Sequence, residues 1–163
     1  MDLLRSTIEL NPEMPIRPAT PADIPHMLTL AEQADTAAHW APREYEALFA
    51  AEAPRRIALV AEEHGTLAGF LIARADLDEW EIENVVVAND RRRGGIGSAL
   101  VRELLHQAAT AKATSVLLEV RESNLAARRL YEKLGFLEVG RRPGYYAQPT
   151  EDALLFKFSV SFR

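Results

Sequence analysis

The stretch Arg91–Leu105, RRRGGIGSALVRELL, narrows the choice of folds more than any other part of the chain. Three arginines run into Gly94, Gly95 and Gly97, and then directly into an apolar helical face made by Leu100, Val101, Leu104, Leu105 and Ala108. Glycine weakens a helix unless the backbone has to come close to something. Upstream, EWEIENVVV reads as a strand ending near Val87, so the glycines occupy a strand-to-helix turn, with the helix starting near Ile96 or Gly97. The first amides of such a helix have no intrahelical acceptors, and its dipole favours negative charge. With no Cβ atoms in the way a phosphate can reach those amides, and Arg92 and Arg93 add positive charge at the rim. The turn suits a pyrophosphate, although the same residues taken alone also fit a flexible turn beside solvated arginines. A dinucleotide-binding unit would carry its glycines after the first strand, whereas here they follow the fourth candidate strand. The Gly-Lys-Ser/Thr ending of an ATPase loop is absent.

The surrounding pattern is mixed α and β. Residues 1–15 read as an N-terminal arm, and its acidic residues and prolines do not make a signal peptide. TPADIPHMLTLAEQA has Thr20 as a cap ahead of proline and an apolar stripe of Ile24, Met27, Leu28 and Ala31, and PREYEALFAA suits a second short helix. RRIALVAEEHGTLAGFLIARA reads as two strands around a turn at His64-Gly65. In EWEIENVVV the apolar positions are Trp80 and Ile82, then Val85 and Val87, a slip of one residue near Asn84. Either a β-bulge or burial on both faces accounts for it. SVLLEV is a short buried strand, NLAARRLYEKLGF a helix ending at Gly135, and ALLFKFSVSF a half-buried strand with Leu154, Phe156, Phe158, Val160 and Phe162 on one face. Strands dominate early and strands alternate with helices later, which implies a mixed sheet with helices on both faces.

A second cluster of chemistry-bearing residues lies in LEVRESNLAARRLYEKLGF. Glu119 shares a strand face with Leu117, opposite Val116, Leu118 and Val120. A carboxylate partly removed from water gains strength as a general base, while a strand-end Glu neutralised by Arg121 would have no chemistry at all. Asn124 sits at the cap of the next helix, and Tyr131, two turns on, lies on the same side within the stripe Ala127, Leu130, Tyr131 and Leu134. An ordinary core tyrosine would occupy the same place. RRPGYYAQPTEDA is expected to be a loop, with Tyr145 and Tyr146 either contacting a substrate or covering a core edge. The histidines at 26, 39, 64 and 106 have no metal-ligand spacing, and GIGSA is not a nucleophile elbow.

Composition excludes several classes. The 163 residues contain no cysteine, which removes disulfides, thiolate zinc sites and thiol nucleophiles and favours the cytoplasm. No apolar run reaches membrane-spanning length. The net charge of -5 argues against general nucleic-acid binding and suits a basic partner.

Taken together, RRGGIG (Arg92–Gly97) and the series Asn124, Tyr131, Gly135 and Phe136 resemble the GCN5-related N-acetyltransferase (GNAT) superfamily, over almost the whole chain from IRPATPADI to the last strand. The first matches a signature of Arg or Gln, two residues, Gly, one residue, then Gly or Ala. The resemblance implies a mixed α/β (α+β) fold: a mostly antiparallel sheet of about seven strands, splayed at the fourth and fifth, in a single domain over 16–163. Within the superfamily, LEVRESNLAARRLYEKLGF, the Tyr-Tyr followed by EDA, and His39-Trp40 look most like the ribosomal-protein-alanine N-acetyltransferases (the RimI type).

Carried over by resemblance, acetyl-CoA is the cofactor, CoA the product, and no metal takes part. Glu119 becomes the general base, directly or through water, and Tyr131 the acid that protonates the departing thiolate. Val85, Val86 and Val87 offer backbone contacts to the pantetheine and thioester. Arg92, Arg93, Gly94, Gly95, Ile96, Gly97 and Ser98 surround the pyrophosphate, and Asn124 contacts the cofactor. Trp40, Glu83, Asn84, Tyr145 and Tyr146 fall on the acceptor side. The usual Asp-Pro after the fourth strand is Ala88-Asn89 here, and Glu83-Asn84 are more polar than in some members, departures that fall at the acceptor groove the resemblance implies.

With no thiol to carry an acetyl group, a neutral amine must attack the thioester directly, and a backbone amide of the bulged strand is the natural oxyanion donor. An α-amine of pKa about 8 is about one-tenth neutral at pH 7, against about one molecule in 10³ for lysine, so one modest base suffices for a peptide N-terminus. The expected partner is a peptide or protein N-terminus, with ribosomal protein a candidate; nucleic acid and membrane are not expected, and a monomer or weak dimer is. A small-molecule amine acetyltransferase and a non-catalytic CoA-binding module are the alternatives.

Overall fold

Alternating apolar positions and a two-residue turn make residues 56–76 a hairpin, and the rest of the sheet is built outward from it. The computed structural model describes residues 15–34, 40–50, 55–92 and 94–160. Residues 1–14 of the N-terminal arm, His39, Arg93 and Phe162 lie outside the described residues. The strands are β1 (Ile16–Pro18), β2 (Arg56–Glu63), β3 (Thr66–Asp76), β4 (Glu79–Val87), β5 (Ser115–Arg121), β6 (Leu137–Tyr146) and β7 (Glu151–Ser159). The helices are α1 (Ile24–Gln33), α2 (Pro42–Ala47), α3 (Ile96–Thr110) and α4 (Leu125–Lys133). One seven-stranded sheet has the order β1-β2-β3-β4-β5-β7-β6. Its pairs are antiparallel except β4 with β5, which run parallel.

The turn at His64-Gly65 is where the sequence puts it, with left-handed φ angles of 52° and 77° that close a two-residue hairpin. Helices cover both faces. On one, α3 and α4 bury Leu100, Leu104 and Tyr131 against Leu71, Leu118 and Phe156. On the other, α1 and α2 bury Met27 and Tyr45 against Val60, Phe70 and Ile72. The entry to α1 is locked by Asp23, whose carboxylate accepts the Thr20 amide at 2.8 Å and a two-pronged grip from Arg17 at 2.8 and 2.9 Å. The Arg17 guanidinium, acting against burial, lowers the Asp23 pKa to about 2.

Two features of β4 matter most. Ile72 pairs with Asn84 but Ala73 pairs with Ile82, so Glu83 is an extra residue, and the slip read from the sequence is a β-bulge. Trp80 and Ile82 before it, and Val85 and Val87 after it, all serve the α3/α4 side, while Val86 joins the opposite core. The second feature is the ladder to β5, which runs only from Glu79↔Ser115 to Ile82↔Leu118. Beyond that point β5 continues to Arg121 on its β7 side, and β4 continues to Val87 on its β3 side. The two parallel strands therefore part at the bulge.

RRPGYYAQPTEDA is not the loop expected. Arg141 to Tyr146 belong to β6 and Glu151 onward to β7, leaving Ala147–Thr150 as the turn. A register shift between Arg142 and Tyr146 absorbs Pro143 and Gly144 as a bulge on an edge strand, where proline costs no ladder hydrogen bond. Gly144 takes the left-handed φ of 61° that the bulge needs.

Candidate active site

The glycine turn stands open at the α3/α4 side of the parted strands. Gly94 and Gly95 are exposed, and Gly95 is the N-cap of α3 with φ 79°. Having no side chain, it leaves the helix end uncovered. The first intrahelical hydrogen bond runs from Ala99 N to Gly95 O at 3.0 Å, so the amides of Ile96, Gly97 and Ser98 precede it. A Cβ at Gly97 would lie 3.4 Å from Leu130 and 3.7 Å from Val87, ordinary contact distances that show how closely the start of α3 lies against α4 and the end of β4. Arg92 is exposed beside the turn, whereas Arg91 is taken up by Glu63 at 2.8 Å.

The end of β4 offers backbone to the opening. Ala88 N donates to Ala68 O at 2.8 Å, so Ala88 and Val86 direct their peptide groups at β3. By strand alternation Val85 and Val87 direct theirs to the other side, where β5 has parted. Asn124 caps α4, its Oδ1 accepting the Ala127 amide at 3.2 Å, as its position in sequence suggests. Tyr131 is buried edge-on against Phe136, with ring centroids 5.5 Å apart, and burial pushes its pKa up, so the phenol keeps its proton at neutral pH.

Glu119 faces the other side of the sheet, opposite Leu118 and Val120, which lie in the α3/α4 core. Its expected neutraliser, Arg121, is not its partner. Arg121 stacks on Tyr146 at 4.3 Å and approaches Glu151 at 3.9 Å, while Arg142 from β6 contacts Glu119 at 3.1 Å. The charge of Glu119, and secondly a hydrogen bond from Tyr145, raise the Tyr145 pKa. Tyr145 and Tyr146 meet edge-on at 5.1 Å.

Two more carboxylates line this face, each with its own arginine: Glu81 with Arg74 at 3.2 Å, and Glu83 with Arg56 at 2.8 Å. Arg56 also lies over Trp40, 5.5 Å from the ring centroid. Burial raises the Glu81 pKa, opposed by Arg74 and reinforced by Glu119 and Glu83. The more exposed of the two, Arg74–Glu81, contributes about 0–1 kcal/mol to stability, so it orients side chains more than it holds the fold. Asn84 is buried on the same side as Val86. A cavity of about 340 Å³ between Arg74, Asp78, Glu81 and Leu117 sits at the β3–β4 hairpin, the end of β4 remote from the glycine turn.

The sheet thus sorts the residues into two groups. Gly94 to Ser98, Asn124 and Tyr131 collect on the α3/α4 side, and Trp40, Glu83, Glu119, Tyr145 and Tyr146 on the other. The parting of β4 from β5 joins them. Arg93, a candidate for the pyrophosphate rim, lies outside the described residues. Residues 25–136 match a sequence model of the acetyltransferase (GNAT) family. The chain belongs to that family.

Members of the GNAT family use acetyl-CoA generally. The chain is 35% identical over 136 residues to a [ribosomal protein bS18]-alanine N-acetyltransferase of Salmonella typhimurium, covering 82% of this chain and 92% of the relative. The crystal structure of the ribosomal-protein-S18-alanine N-acetyltransferase from Escherichia coli superposes with a TM-score of 0.83 at 30% identity, covering 92% of this chain and 96% of the other. The Ard1 structure from Thermoplasma volcanium gives 0.80 at 26% identity over 92% and 99%. Arg56, Arg74, Glu81 and Arg142 line this face without any motif in the sequence that points to them. Only alternation along β3 and β4 could have flagged Arg74 and Glu81, and no local signal brings Arg142 to Glu119. Among the described residues no helix is long and apolar enough to cross a membrane, and no three His, Asp or Glu side chains group as metal ligands.

Proposed function

We propose that this protein is an acetyl-CoA-dependent N-acetyltransferase of the cytoplasm, acting on the N-terminal alanine of a protein of the ribosomal S18 type. The observation that carries the reading is the parting of β4 and β5, with a bare helix end on one face and a paired carboxylate on the other. Acetyl-CoA supplies an activated acetyl thioester. The residues present fit it: the Ile96, Gly97 and Ser98 amides would hold the pyrophosphate with Arg92 and Arg93 at the rim, and Val85 and Val87 would hold the pantetheine through the backbone, Val86 lining the strand between. Asn124, with Oδ1 committed to its own helix, offers its amide nitrogen to the cofactor.

On the opposite face, Trp40, Glu83, Asn84, Tyr145 and Tyr146 form the walls against which the acceptor peptide lies. Glu119 takes the proton of the α-ammonium, directly or through water, and so raises the fraction of neutral nucleophile. An α-amine needs about tenfold enrichment at pH 7 to be wholly neutral and lysine about 10³-fold, which favours the N-terminus as acceptor. Tyr131 keeps its proton until the leaving sulfur takes it.

The test is a panel of peptides differing in first residue, together with free lysine and polyamines, with CoA release as the readout. Preference for N-terminal alanine peptides supports the reading, activity on polyamines alone replaces it with a small-molecule acetyltransferase, and coenzyme binding without turnover replaces it with a binding module.

A further inference from the structure

The carboxylate assigned as base has a cation nearer in sequence than the one it holds. Arg121 follows Glu119 by two residues and shares its strand face, yet its guanidinium lies on the Tyr146 ring and near Glu151. Arg142 instead reaches in from β6, two strands away in the order β5-β7-β6. We propose that Arg142 is a positioning residue of the transfer site, clasping Glu119 from across β7 and holding its carboxylate toward β6, at the edge of the acceptor face.

The local structure accounts for that reach. Ala153 on β7 pairs with Arg121 on one side and Arg142 on the other, and it is wholly buried. Its methyl group leaves room for a long side chain to lie over the strand. Glu119 is opposite Leu155, two residues further along β7, which puts Arg142 and Glu119 in a diagonal relation. The β6 bulge then aims Arg142. Asp152 accepts the Gly144 amide at 2.9 Å and Arg141 at 2.8 Å, and Arg141 also meets Glu122 at 2.9 Å. These contacts fix the backbone on both sides of Pro143. Over the guanidinium, the Tyr145 ring lies 5.7 Å away, and the charge of Glu119 is felt at its phenol, whose pKa it raises. Both β6 partners of Glu119 are therefore carried by one bulged segment.

The clasp has a consequence for the acceptor. A free carboxylate would attract an ammonium without regard to direction, whereas one held on its β6 side meets the incoming amine only from the opening between β4 and β5. The Arg142 side chain is itself exposed. It also lies on the sheet face away from the glycine turn, so its loss should leave the coenzyme untouched.

This inference rests on the proposed transfer reaction, and the experiment keeps the two apart. Arg142→Ala, Arg142→Lys and the unchanged protein are compared for kcat and KM with an alanine-initiated peptide, for acetyl-CoA affinity by calorimetry, and for rescue by millimolar methylguanidinium. Misplacement of a catalytic group by about 1 Å can cost up to about 10²-fold. Arg142→Ala should thus lose roughly ten- to hundredfold in kcat with coenzyme affinity unchanged. Arg142→Lys should keep part of the rate, and methylguanidinium should restore part of what Arg142→Ala lost. An Arg142→Ala enzyme within twofold of the unchanged one, or a loss that methylguanidinium does not relieve and that tracks a fall in coenzyme affinity, overturns the proposal. If the unchanged protein acetylates no amine, the transfer reading fails by itself. Crystal structures of the unchanged protein and Arg142→Met then decide the clasp: a Glu119 carboxylate that leaves its position supports it, and one that stays overturns it.

Discussion

Replacing Gly69 with alanine tests how the coenzyme end of the sheet is built. Gly69 lies on β3 opposite Val87, directly beneath the point where β4 hands over to the glycine turn. A Cβ there would stand 2.7 Å from the Val86 carbonyl oxygen and 3.1 Å from Cγ2 of Ile96, the first residue of α3. Close carbon–oxygen contacts settle at about 3.3–3.6 Å, so the end of β4 must move by roughly 0.6 Å or more. The obstacle is backbone and cannot rotate away. Overpacking of this kind costs about 1–3 kcal/mol, partly offset by the about 0.4–1 kcal/mol that Gly→Ala gains through the unfolded chain. A net loss of about 1–2 kcal/mol corresponds to roughly 2–8 °C in Tm for a chain of this size. Because Val86, Val87 and Ile96 move together, acetyl-CoA affinity should fall as well. Gly94→Ala is a control for melting alone, since a Cβ there would meet nothing nearer than the Arg91 carbonyl at an ordinary 3.4 Å. Thermal melting and calorimetric titration read both effects. Gly69→Ala that melts with the unchanged protein and binds acetyl-CoA equally well would refute the claim that this contact sets the end of β4.

Further expectations are more direct. Glu119→Gln should lower turnover by roughly 10²-fold with coenzyme affinity little changed, and an unchanged rate removes Glu119 from its role. Tyr131→Phe keeps the ring against Phe136 and should lower kcat by roughly 10- to 100-fold with melting nearly unchanged; equal turnover makes Tyr131 an ordinary core residue. Asp23 has a folded pKa of about 2 against an ordinary 3.8, so its contribution, at most about 2 kcal/mol, is present above pH 3.8 and disappears as pH falls toward 2. Urea unfolding of Asp23→Asn and the unchanged protein should accordingly differ most near neutrality and converge near pH 2. A gap that stays constant with pH would mean that the Arg17 pairing is not its source.

Local signals carried much of this in the sequence. The His64-Gly65 turn, the slip at Asn84, the helix start at Ile96 and the Asn124 cap are each written within a few residues, where sterics and hydrogen bonding act without help from the rest of the fold. Glu119 and Tyr131 stand out in the sequence only through the family resemblance, since residue spacing alone fits an ion-paired Glu and a core Tyr equally well, and their placement on opposite faces follows from the fold. The arginine on Glu119 was not legible at all. Sequence proximity favours Arg121, and only the insertion of β7 between β5 and β6, with an alanine at the crossing, brings Arg142 within reach. Likewise Gly69 looks like a weak spot in a strand until the approach of Val86 and Ile96 explains it. The late loop was misjudged because Pro143 and Gly144 read as turn residues, whereas an edge strand takes them up as a bulge.

The central claim is that the parted strands and the bare start of α3 together seat acetyl-CoA. A crystal structure with the coenzyme bound tests it most directly. The account predicts the pyrophosphate on the amides of Ile96, Gly97 and Ser98, and the pantetheine between β4 and β5 along Val85 to Val87. Coenzyme seated anywhere else, or β4 and β5 found zipped together past Ile82, would contradict it.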